Sequence, residues 1–180
     1  MKPTVEYSRN ISELLRNWQS MPLDAGTPDP SVAEKLDSVM LERLFGSAVI
    51  VNKTAARLCV AGLWLLYDHL EECHAIAQSI ETPDGSYWHA IMHRREGDFF
   101  NSKYWYRRVR EHEIFPSLLH EAKSVMPERF PMQRWDPFLF VDCCEEAVQK
   151  NNNFVVSCQK IQQVEWQLLF DQCYQKATAD

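Results

Sequence analysis

KTAARLCVAGLWLLYDHLEECHAIAQSI, from Lys53 to Ile80, is the longest periodic run in the chain. Through Leu66 its apolar residues fall on nearly every side of a 3.6-residue turn, which predicts a central, buried helix over about 54–80. Upstream, Ile11, Leu14, Leu15 and Trp18 recur at helical spacing, with Asn10 and Glu13 as a capping pair. The proline-rich MPLDAGTPDP (21–30) cannot continue a helix and reads as a surface loop. Ser31 with Glu34 opens a second helix that runs to Phe45, with Gly46 placed to end it.

Downstream, ETPDGS (81–86) reads as a turn. Ser86 caps a short helix over YWHAIMHRRE that Gly97 ends, and Asp98 caps another from Phe99 to about Arg110. Pro116 and Pro127 bracket SLLHEAKSVM. Asp136–Pro137, a cap followed by proline, starts a helix to about Lys150, and a last helix covers about 154–176. No segment alternates as a strand does, and no repeat is visible. These patterns predict an all-α, single-domain helical bundle of about six to seven helices over 1–180. Residues 1–30 stand as a candidate appendage.

At 180 residues, 46% hydrophobic and 24% charged, the chain can close a core without staples. Its net charge of −6 argues against nucleic acid as a partner. His89 to His112 departs from that balance, with six Lys/Arg against three Asp/Glu, a local +3. A basic island in an acidic protein points to a small anionic ligand. Six cysteines occur, and those on apolar helical faces read as small hydrophobes. The N-terminus has no apolar signal core, and no uncharged apolar run reaches the roughly 18 residues of a membrane span. A soluble, cytoplasmic protein is the expectation.

The densest polar stretch is YWHAIMHRREGDFFNSKYWYRR, Tyr87 to Arg108. Residues four apart in a helix lie roughly 40° from each other around its axis, so His89 and His93 share a face that Glu96 extends. This is no zincin motif, because Ala90 stands where that chemistry needs a glutamate. Glu71 and His74 form an E-x-x-H pair on the preceding helix. A di-iron bundle needs that pair twice, and it occurs once. The short turn between the two helices brings His74 and His89 towards one end of the bundle. His74, His89 and His93, with Glu71 or Glu96, would suit Zn²⁺, Fe²⁺ or Mn²⁺ with an open position. Histidines that cap helices or bond carboxylates produce the same spacing.

Around these residues, Arg94, Arg95 and Lys103 are candidates to grip an anion, and Asp98 joins Glu71 and Glu96 as a candidate acid–base group. Asn101, Trp105, Arg108 and His112 line one stripe of the following helix, and the first three are candidate substrate contacts. Three functional readings follow: a metal-assisted, hydrolase-like enzyme for a small anion, a metal-free histidine site, and a non-enzymatic helix-docking module exposing Trp18, Trp135 or Trp166.

The stretches LWLLYDHLEECHAIAQ and YWHAIMHRREGDFFNSKYWYRRV resemble segments of an uncharacterised family of small bacterial and fungal proteins, through an HxxxHRREGD…NxKYW pattern. The resemblance covers about a quarter of the chain and implies kinship without naming an activity. Relatives tend to carry Gly-His-Pro where this chain reads REHEIF from Arg110, which bears on the role of His112.

Overall fold

The computed structural model describes residues 5–17, 21–37, 41–150 and 154–178, whose regular elements are all helices. In chain order these are α1 (Arg9–Asn17), α2 (Pro30–Asp37), α3 (Leu41–Phe45), α4 (Lys53–Leu66), α5 (Leu70–Ala77), α6 (Pro83–Glu96), α7 (Phe99–Val109), α8 (Phe115–Val125), α9 (Pro137–Lys150) and α10 (Phe154–Thr178). Ten helices among the described residues exceed the six to seven expected, largely because two predicted helices are each described as two. Residues 38–40, between α2 and α3, and Trp18 lie outside the described residues.

The predicted helix over 54–80 breaks at Tyr67–His69, between α4 and α5. Asp68 takes a left-handed conformation there, φ 65°, which aspartate tolerates better than most residues. Its carboxylate pairs with the guanidinium of Arg95 on α6. Tertiary pairing thus overrides a run that local propensity would continue.

Caps explain most other boundaries. Ser8 Oγ accepts from the Ile11 amide at 3.2 Å and starts α1, while Asn10 instead donates to the Arg43 carbonyl. Asp29, not Ser31, caps α2, accepting from the Ser31 amide at 2.9 Å. Thr82 caps α6 through the Gly85 amide at 3.1 Å, with Pro83 at the first helical position, so the predicted ETPDGS turn is mostly that helix's opening turn. Gly97 ends α6 at φ 85°, Asp98 caps α7 through the Asn101 amide, and Asp136 caps α9 through Phe138 and Leu139, all as the sequence predicts.

The central element is α6, not α4. Every residue from Asp84 to Arg95 is buried, with α4, α5 and α7 packed around it. α10 runs against α4, α8 and α9. Where α4, α6 and α10 cross, Gly62 permits the approach: a Cβ there would lie 2.9 Å from the Trp88 ring and 3.1 Å from Phe170. Trp166 also donates to the Gly62 carbonyl at 2.9 Å. α1 belongs to the same core, with Ile11 and Leu14 buried in it. The proline-rich segment is a strap rather than a plain surface loop, since Met21 and Leu23 are buried. The Pro22 carbonyl accepts from Gln162, and the Asp24 carbonyl accepts from Arg95.

Trp135 and Trp166 are buried, so of the three tryptophans a docking surface would expose, neither of the described two is exposed. All six cysteines are free and buried, and burial pushes the Cys59, Cys73 and Cys173 thiols up, which suits inert packing residues. Among the described residues no helix is long and apolar enough to cross a membrane.

A helix enclosed on all sides must satisfy its polar groups internally. Arg94, 0% exposed, donates to Glu165 at 2.5 Å, to Tyr106 at 3.0 Å and to Gln162 at 3.3 Å. Glu165 also accepts from Tyr87 at 3.0 Å and from Tyr106 at 2.8 Å. Burial alone would pull the guanidinium's pKa down, but the Glu165 carboxylate outweighs it and holds Arg94 protonated. Replacing one member strands a buried charge, so Glu165→Ala is expected to cost about 3–5 kcal/mol in urea unfolding. The double replacement Arg94→Met, Glu165→Leu should recover most of that loss.

Candidate metal centre

α5 contributes His74, and α6 contributes His89 and His93, one turn apart. One ring nitrogen from each lies within 4.8 Å of the others. The His89 and His93 rings stack at 4.8 Å and 16°, and His74 meets both edge-on, at 4.6 and 5.4 Å between centroids. The three histidines therefore converge as the sequence reading required for a shared cation.

Their environments differ. His93 Nδ1 is 3.0 Å from Glu96 Oε2, which leaves Nε2 free. His89 is 2% exposed, and neither of its ring nitrogens has a hydrogen-bond partner. Burial, together with neighbouring His93 and His74, pushes its pKa down to about 3, so the ring is neutral at ordinary pH. Burial also lowers His93, against the opposing pull of Glu96. Trp105 on α7 stacks on His89 at 3.9 Å and 23°, and the Arg108 guanidinium lies 5.1 Å from the Trp105 ring.

His74 and Glu96 also form part of the wall of a cleft of about 720 Å³. The strap closes one side with Gly26 and Pro28, and the start of α5 supplies Glu71 and Glu72.

The remaining predicted site residues lie elsewhere. Arg94 and Arg95 are corrections: both are 0% exposed and donate inside the protein. Arg94 donates from its terminal nitrogens to Glu165 and Gln162 on α10 and Tyr106 on α7, and Arg95 donates to Asp68 and the Asp24 and Leu65 carbonyls. Neither guanidinium is available to an anion. Lys103 pairs with Asp142 on α9. Asp98 and Asn101 bond each other in the α7 cap, with Asn101 Nδ2 donating to Asp98 Oδ2 at 2.7 Å, so their roles are structural. Trp105 and Arg108 cover His89 rather than line the cleft. Glu96, expected as a ligand or base, bonds a histidine instead. Glu165 and Asp68, the carboxylates that hold the two arginines, were not among the expected residues.

His112 lies apart from the triad. Its Nε2 is 2.8 Å from Asp84 Oδ1, and Lys176 Nζ holds Asp84 Oδ2 at 2.8 Å. No family model, no curated protein and no solved structure matches this chain.

Burial would raise the Asp84 carboxyl, but the bonds from His112 and Lys176 outweigh it and set its pKa below the ordinary value. A depressed carboxylate stabilises the fold fully above the unfolded-state pKa, near 3.9, and the contribution is lost as pH falls below that. Asp84→Asn should therefore lower stability by about 1–3 kcal/mol at neutral pH. Parallel denaturation series should show the gap to the native chain closing in the acid range.

Proposed function

We propose that this chain holds one divalent transition cation on His74, His89 and His93 and uses it for hydrolysis at the cleft beside them. The observation that carries this reading is His89. A buried imidazole with two unpartnered nitrogens costs stability unless something binds it, and it lies where two further imidazoles converge. Three imidazole ligands suit Zn²⁺ first, and Fe²⁺ or Mn²⁺ as well. Tetrahedral ligation at roughly 2.0–2.1 Å separates nitrogens by roughly 3.4 Å, so the widest pair, at up to 4.8 Å, needs to close by about 1.4 Å. Side-chain rotation supplies movements of that size.

Glu96 acts on the ligand rather than on the substrate. A carboxylate on Nδ1 fixes the tautomer and orientation of His93 and leaves Nε2 to coordinate. A cation held by these three histidines would supply Lewis acidity, bringing the pKa of a bound water towards neutrality. The proton given up by the water would pass to the leaving atom through solvent in the open cleft, with Glu71 left as a charged group of its wall. In such a hydrolysis the water oxygen would bond the electrophilic carbon as the bond to the leaving group breaks.

The His93–Glu96 pair also favours a second reading, in which His93 Nε2 is a general base without metal. Chelators separate the two, since they should abolish activity and lower the melting temperature only in the first.

Protein purified without a histidine tag should carry, or take up on titration, about one equivalent of a transition cation, read by elemental analysis. His89→Ala and His93→Ala should abolish uptake. Glu96→Gln should weaken affinity about 10- to 100-fold while leaving the fold unchanged by circular dichroism. Less than a tenth of an equivalent, with no uptake on titration, would sink the metal reading.

A further inference from the structure

We infer that the cleft beside the histidines receives a cationic, amine-bearing substrate, with its ammonium towards Glu71 and Glu72 and its reacting group towards the triad. The inference rests on the metal reading above and reverses the charge that the sequence led one to expect.

Four carboxylates, Asp68, Glu71, Glu72 and Glu96, contribute to the cleft wall, and no lysine or arginine does. Asp68 is neutralised from within by Arg95, and Glu96 is committed to His93. Glu72 lies 3.7 Å from His69, and Glu71 is exposed. The outer wall is therefore negative, while the cations that would have recognised an anion point into the core or pair with Asp142.

An acidic wall alone is a solvated surface. What makes this one part of a site is the unpartnered His89 behind it, 2% exposed, whose ligand nitrogen lies within 4.8 Å of that of His74. His74 is itself part of the wall, so the carboxylates lie beside one member of the triad, and the ligand nitrogens of the other two are within 4.8 Å of its own. At about 720 Å³ the cleft has the dimensions of a small-molecule pocket, and Glu71, Glu72 and His74 line it together. Carboxylates near a partly enclosed cleft attract a cation and repel an anion several-fold in affinity.

Three hydroxamates that differ only in tail charge test this on the full chain loaded with Zn²⁺, by calorimetry. Glycine hydroxamate carries an ammonium, acetohydroxamate is neutral, and malonic monohydroxamate carries a carboxylate. Affinity should fall in that order, by about fivefold or more per step. The Glu71→Gln, Glu72→Gln double variant should bind Zn²⁺ as before yet show a much smaller spread, which cancels differences in intrinsic chelation. Raising the salt to about 0.5 M should compress the native spread in the same way. With Zn²⁺ bound, a flat or reversed order, a spread that the double variant retains, or no hydroxamate binding would each overturn the inference and leave the metal site standing. Failure to bind Zn²⁺ would overturn both.

Discussion

The buried pair between Arg94 and Glu165 is the constraint on which the rest of the molecule depends. It ties the middle helix, α6, to the long C-terminal helix, α10, and it fixes how α6 is rotated. Successive residues on a helix point about 100° apart, so setting Arg94 towards α10 also sets its neighbours. His93 turns to α5 and meets His74 and Glu96. Arg95 turns to the α4–α5 break and meets Asp68 and the strap. Three consecutive polar residues thus face three different partners, which is how a helix this polar can be enclosed on all sides. The histidine triad is a by-product of the same rotation.

The legible parts of the sequence were those governed by short-range chemistry. Gly97, Asp98 and Asp136–Pro137 mark helix ends because backbone geometry and capping act within a few residues. The convergence of the histidines was legible for a related reason: helical spacing pairs His89 with His93, and a short turn folds the His74 helix back on them. The starts of α1, α2 and α6 were misplaced where several capping residues stood close together, as at Ser8 and Asn10 or Asp29 and Ser31. The break at Asp68 was invisible because its cause, Arg95, lies on another helix.

The arginines show most plainly where sequence reading stopped. Arg94 and Arg95 precede a helix stop within a basic island, and that context favoured surface anion binding. Their partners are remote in sequence or hidden in an unbroken apolar run. One signal was present: Glu165 lies on the apolar stripe of the last helix, where a carboxylate cannot be buried without a cation. Matching that lone acid to a surplus cation would have moved Arg94 into the core and lowered the local surface charge from +3 to +2.

Trp105 lies flat on His89 with Arg108 on the ring's outer side, so imidazole, indole and guanidinium form a column from the buried triad to solvent. The middle member is a fluorophore. Stacked on a ring that solvent barely touches, its emission would respond to that ring's charge, and an open-shell ion there would quench it at contact range. The molecule carries an optical probe against its most buried imidazole.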